Sequence, residues 1–104
     1  MSKFIVIEAT ATVSYSPYNR QPDTDLVVTR VSFWENGETV DTFADRATAN
    51  IRLAEAIALE REARRAEGCE EVRNDYDEPN VLRFTLERGW VRSDVMKIWT
   101  IEKI

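Results

Sequence analysis

The sequence predicts an α+β domain, with a largely antiparallel sheet of four to five strands and one long helix packed on one face. Alternation of apolar and polar residues recurs in several segments, which is typical of strands. Asn36-Gly37 separates two of these segments and favours a tight hairpin. One Ala-rich stretch, whose apolar residues recur with the spacing of a helix, follows this hairpin and precedes the C-terminal segments. The predicted order is therefore β-β-β-α-β-β, in a single domain spanning residues 1–104.

Three strands are predicted before the helix. The first runs from Lys3 to about Tyr15, where β-branched residues alternate along the chain. A loop with two prolines covers residues 16–24. The second strand is predicted from Asp25 to Trp34, and a short third strand from Thr39 to about Phe43 follows the Asn-Gly turn.

The helix is predicted from about Arg46 to Glu67. Asp45 can accept hydrogen bonds from the free N–H groups of the first turn, and Gly68 can adopt the left-handed conformation that ends a helix. One stripe is expected to pack on the sheet, and it consists of Ala47, Ile51, Ala54, Ile57 and Ala58.

The C-terminal third is expected to hold an acidic loop and two strands. Residues 70–80 are polar, and Pro79 disfavours a helix there. The strand from Val81 to Glu87 directs Leu82, Phe84 and Leu86 to one side. The last strand, Asp94 to Ile104, is apolar on both faces: Val95, Trp99 and Ile101 lie on one, and Met96, Ile98 and Ile104 on the other.

The composition argues against several classes of function. The chain has 19 acidic and 14 basic residues, a net charge of −5 and no histidine. We therefore expect no direct nucleic-acid binding, no metal site, no cofactor and no enzymatic activity. The lone Cys69 can form no intramolecular disulfide, and we expect a half-buried or exposed thiol just after the helix.

The N-terminal apolar run, Phe4–Ile7, is interrupted by Glu8. It is too short for a signal-peptide core or a membrane span, so we expect a cytoplasmic protein that does not contact a membrane.

An acidic segment is the first candidate binding surface. Six carboxylates fall within residues 67–78, and we select Glu70, Glu71, Asp75 and Asp77 as candidates for contact with a basic partner. The alternative is a solubilising loop.

The second candidate is the sheet face that one helix leaves uncovered. We assign to it Leu26, Val28 and Trp34 of the second strand, together with Val95, Trp99 and Ile101 of the last. An apolar patch of this kind marks an interaction site, so we expect a homodimer or another protein partner, with Trp34 and Trp99 as anchors. The alternative is aromatic packing between neighbouring strands.

Three functions remain open from the sequence. The first is a small acidic non-catalytic protein-binding module that acts as an inhibitor or adaptor by occupying a partner surface. The second is a phage or mobile-element anti-defence protein, similar to an anti-CRISPR, that imitates the charge of nucleic acid. The third is a small enzyme or ligand-binding domain that uses carboxylates.

Overall fold

The computed structural model describes residues 3–18, 21–72 and 78–104. In these ranges the chain forms β1 (Phe4–Tyr15), β2 (Asp23–Arg30), β3 (Phe33–Glu35), β4 (Glu38–Val40), α1 (Arg46–Ala66), β5 (Glu70–Val72), β6 (Val81–Arg88) and β7 (Val91–Lys103). β2, β1, β7, β6 and β5 form an antiparallel sheet in that order, and β3 and β4 form a separate hairpin. The predicted α+β class is confirmed, with one helix packed on the sheet.

The predicted second strand is in fact two strands. The Val31 N–H still donates to the Val6 carbonyl at 2.9 Å, but β2 ends at Arg30 and a new strand begins at Phe33. The chain changes direction here because Phe33 enters the core. Its ring packs edge-on against Phe43, with ring centroids 5.5 Å apart.

The third strand is also shorter than predicted. Asn36 and Gly37 both have positive φ, as the hairpin prediction requires, and β4 then ends at Val40. Phe43 lies beyond it and exchanges two backbone hydrogen bonds of 2.8 Å with Phe4, so Phe43 extends the edge of β1 rather than the hairpin.

Both ends of α1 follow the predicted capping. The Thr48 N–H donates to Asp45 Oδ1 at 2.7 Å, and this hydrogen bond lowers the pKa of the Asp45 carboxyl. At the other end, Gly68 has φ +84, and the N–H groups of Gly68 and Cys69 donate to the carbonyls of Arg65 and Arg64. This double hydrogen bond is a Schellman motif, which only a residue tolerant of positive φ closes without strain.

The predicted buried stripe of the helix is wrong apart from Ile57. Ala49, Leu53 and Ile57 are buried, four residues apart, while Ile51 is 61% exposed. Ala47, Ala54 and Ala58 are exposed as well. Positions 51 and 53 lie on nearly opposite sides of a helix, so burial of Leu53 requires Ile51 to face solvent.

The core lies between α1 and the sheet. Its buried members are Val6, Phe33, Phe43, Ala49, Leu53, Ile57, Cys69, Leu82, Phe84 and Trp99. Leu86 packs against this cluster, so the predicted facing of Leu82, Phe84 and Leu86 is confirmed. Cys69 is a free thiol that is 8% exposed, which corrects the expectation of a half-buried or exposed side chain.

The predicted acidic loop begins with a strand. β5 pairs with β6 and places Glu71 opposite Phe84. The short strand forms because the Schellman turn at Gly68 returns the chain along β6 with Cys69 in the core.

Candidate functional site

The sheet has two unlike faces. On one, Val6, Leu82, Phe84 and Trp99 are buried together with Leu53 of α1. Side chains alternate along a strand, so the residues between these point to the other face. We call this second surface the open face. Its half-buried or exposed aliphatic members include Ile7, Ala9, Ala11, Val13, Leu26, Val28, Val72, Val81, Met96 and Ile98.

The strand register aligns these residues in two rows across the sheet. Ala9 stands opposite Val28 on one side and Ile98 on the other, and Ile98 stands opposite Val81. The next row brings together Leu26, Ala11 and Met96, and it continues through Arg83 to Val72. Cross-strand neighbours of this kind lie about 5 Å apart, so the apolar side chains are contiguous across the first row. In the second row they are contiguous from Leu26 to Met96, and Arg83 separates Met96 from Val72.

The open face is lowest along β1, the strand next to the β2 edge. Ala9 and Ala11 are small, whereas Leu26 and Val28 at the edge are 66% and 60% exposed. A groove of about 260 Å³ runs past Ala11, Met96 and Val72. A second hollow, of about 430 Å³, lies between Ala11 and Leu26. These hollows can receive bulky side chains of another molecule.

Charged and polar residues border the apolar rows. Arg92 and Asp94 form an ion pair of 3.5 Å at the N-terminal end of β7. Arg83 and Asp94 both line the groove. Glu70, opposite Thr85, lies at the β5 edge of the same face. An apolar centre with a polar rim is the usual anatomy of a protein–protein interface.

The predicted membership of the open face is partly wrong. Leu26 and Val28 lie on it as expected, but Val95, Trp99 and Ile101 lie on the helix side, where Val95 and Ile101 pack against the core. The residues of β7 on the open face are instead Met96 and Ile98.

Trp99 is on the helix side because its indole has an acceptor there. The side chain is 5% exposed, and its Nε1–H donates to Glu8 Oε2 at 3.0 Å. A buried indole N–H requires such a partner. Glu8, an acid within an otherwise apolar or uncharged strand, was the signal in the sequence that could have fixed the orientation of β7.

Trp34 is not on the open face either. It belongs to β3, is 73% exposed, and lines a cleft of about 280 Å³ between the hairpin and α1. Leu59, also exposed, lies in the same cleft, and Arg52 donates to the Trp34 carbonyl at 3.4 Å. Trp34 and Trp99 are therefore not members of one surface, since Trp99 is in the core.

The predicted acidic cluster is divided between the two faces. Glu71 points to the helix side, where it accepts from Arg61 at 2.8 Å and from Arg65 at 3.1 Å. Glu70 is exposed and points to the open face. Asp75 and Asp77 lie outside the described residues.

A charged network that the sequence analysis missed joins α1 to the sheet. Lys97 Nζ lies 3.3 Å from Glu8 Oε1 and 3.1 Å from Glu60 Oε1, and Arg64 Nε lies 3.4 Å from the same Glu60 oxygen. Thr10 also donates to Glu8 at 3.2 Å. Arg64 also lies 3.0 Å from Glu67 Oε2, so every acid of this network has a cation beside it. The network therefore fixes the helix on the sheet rather than presenting a free acid or base.

Residues 3–18, 21–72 and 78–104 contain no group of three acidic or cysteine side chains placed to hold a metal ion. No helix in these ranges has both the length and the apolar character needed to cross a bilayer. Comparison of the chain with protein-family models, with curated proteins and with solved structures found no match.

Proposed function

We propose that this chain is a non-catalytic protein-binding module that acts as an inhibitor or adaptor by occupying the surface of a protein partner. The observation that carries the proposal is the open face, where two apolar rows cross the sheet without a covering element among the described residues. Contiguous apolar surface of this extent on a small domain marks an interaction site.

The shape of the open face indicates what kind of partner fits it. The hollows beside Ala11 are lined mainly by apolar and threonine residues, and Asp25, Arg83, Arg92 and Asp94 contribute charged groups. A protein ridge with projecting aliphatic or aromatic side chains would fill them and leave the border charges hydrated. A nucleic acid would instead require clustered cations, and the border carries both signs of charge.

A non-catalytic role is supported by the chemistry of the charged groups. The sequence has no histidine, and the partly buried acids Glu8 and Glu60 share Lys97. A general base must be free to take a proton from a bound substrate. Imitation of nucleic acid has less support, because Glu71 is paired with two arginines and Glu70 points to the opposite face.

A pair of substitutions at neighbouring positions of β1 tests the proposal. Ala11 lies on the open face and the adjacent Thr12 on the helix side, and both are half-buried. Immobilised wild type, Ala11→Lys and Thr12→Lys proteins are exposed to extract of the native host, and the captured proteins are identified by mass spectrometry. We expect a protein retained by wild type and Thr12→Lys to be lost from Ala11→Lys.

The circular dichroism spectra of both variants must match wild type for this comparison to hold. Equal retention by Ala11→Lys and wild type would contradict a docking role for the open face. Loss of retention by Thr12→Lys alone would move the docking surface to the helix side.

A further inference from the structure

β2 is a long, exposed strand at one edge of the sheet. All eight of its residues are exposed, and in the described part of the chain β1 is its one hydrogen-bonded neighbour. Natural edge strands are commonly shortened, or carry lysine or proline that discourages pairing. β2 has neither residue and holds the apolar run 26–28 at its centre, whereas β5, at the opposite edge, has three residues and two glutamates.

The strand register shows which backbone groups of β2 point away from the sheet. Val31 donates to Val6, and Phe4 exchanges hydrogen bonds with Phe43, so even-numbered residues of β1 direct their backbone groups toward the β2 side. In the observed register these residues face the odd-numbered residues of β2. The N–H and C=O groups of Thr24, Leu26, Val28 and Arg30 therefore point away from the sheet.

We propose that β2 pairs with β2 of a second copy of this chain, antiparallel and with Val27 opposite Val27 on a two-fold axis. Residues that are directly opposite each other in an antiparallel pair point to the same face of the sheet. With a two-fold axis perpendicular to the sheet, an odd-numbered residue of one copy therefore pairs with an odd-numbered residue of the other, and the residue on the axis pairs with itself. In such a two-fold dimer, the same strand of each copy forms the interface.

The register follows from the residues that flank the axis. With Val27 on the axis, Leu26 pairs with Val28, and Thr24 pairs with Arg30, so every outward-pointing residue of β2 gains a partner. A shift that places Leu26 on the axis would set Arg30 opposite Pro22, which has no N–H to donate. The opposite shift would set Thr24 opposite Ser32, which lies beyond the strand.

The charges of β2 are compatible with this pairing. Asp23 and Asp25 lie at one end of the strand and Arg30 at the other. The two acids point to the helix side and Arg30 to the open face, where it lies 3.8 Å from Asp41. Antiparallel pairing places Asp25 opposite Thr29 and Arg30 opposite Thr24, so no two like charges oppose each other. Like charges directly opposite each other would destabilise the pair.

The dimer would form one continuous sheet with both helices on one side and both open faces on the other. If the proposed function holds, the dimer presents two docking surfaces side by side, and a partner with two matching sites would gain from the raised local concentration. The pairing itself does not depend on the proposed function, since it uses the edge of the sheet and not its open face.

Charge substitutions at Val27 test the dimer without altering the open face, because Val27 points to the helix side. We expect light scattering to give twice the 12.0 kDa of one chain for wild type and for the near-isosteric control Val27→Thr. Val27→Asp and Val27→Lys each place like charges together on the axis and should weaken the dimer by roughly 100-fold or more. An equimolar mixture of the two variants should recover the dimer as a heterodimer.

Cysteine cross-linking tests the register in a Cys69→Ala background. Two cysteines at position 27 would have Cα atoms about 4.5 Å apart, within the range that a disulfide spans. Two cysteines at position 29, on the same face, would be roughly 13 Å apart and should not cross-link. A monomeric wild type, a dimer that persists in Val27→Asp, or cross-linking of Thr29→Cys instead of Val27→Cys would each overturn the proposal.

Discussion

The assignment of the buried helix face makes a quantitative prediction for Leu53. Its side chain is fully buried, at 0% exposure in the core cluster. Truncation to alanine removes three carbon atoms, worth about 0.8 kcal/mol each in lost burial, and the remaining cavity adds to this loss. We expect Leu53→Ala to lower the free energy of unfolding by about 3 to 5 kcal/mol. That is a large part of the roughly 5–15 kcal/mol that holds a domain of this size together.

Ile51→Ala is the matched control, two residues away on the same helix. Because Ile51 is 61% exposed, its truncation should change the stability by less than about 1 kcal/mol. Urea denaturation followed by circular dichroism measures both variants against wild type. Equal losses, or a larger loss for Ile51→Ala, would refute the helix orientation and with it the separation of the sheet into a covered face and an open face.

Three further predictions test the polar contacts and the mode of binding. Glu8→Ala should lower the free energy of unfolding by about 1–3 kcal/mol, because it leaves the buried Trp99 indole N–H without an acceptor. Glu8→Gln keeps an acceptor oxygen and should restore part of the lost stability, which urea denaturation measures for both variants. The hydrogen bond from the Thr48 N–H holds the pKa of the Asp45 carboxyl below its usual range, so the stabilisation by this cap is complete above the unfolded pKa and is lost as pH falls through the folded pKa. The stability gap between wild type and Asp45→Ala in acid titrations should therefore be full near neutral pH and shrink below about pH 4; a gap that widens in acid would contradict the cap. For a partner identified by capture, the dissociation constant should change little between low and moderate salt, and a steep loss of affinity would favour imitation of nucleic-acid charge instead.

Local patterns predicted the elements of the fold well. Alternation identified β1 and β6, Asn36-Gly37 identified the hairpin, and Asp45 and Gly68 fixed the ends of α1, because each of these signals depends on the chemistry of a few adjacent residues.

Orientation was predicted less well, because it depends on pairing between distant segments. β7 is apolar on both faces, so its own pattern did not decide whether Trp99 or Ile98 faces α1. The Glu8 carboxylate decides it, at 91 positions from Trp99 along the chain. α1 likewise offers two plausible stripes, and the one that ends in Glu60 packs on the sheet, where Glu60 meets Lys97. The pattern of residues within one segment gives no information on such contacts between distant segments.

Footprinting of the complex tests the central claim most directly. The chain is labelled with a photoactivated carbene, alone and with the captured partner, and the labelled residues are mapped by mass spectrometry. We predict that Met96 and Ile98, on the open face, lose labelling when the partner binds, while Leu59 and Trp34, which line the cleft between the hairpin and α1, keep theirs. Unchanged labelling of Met96 and Ile98 together with protection of Leu59 would contradict the claim that the open face is the docking surface.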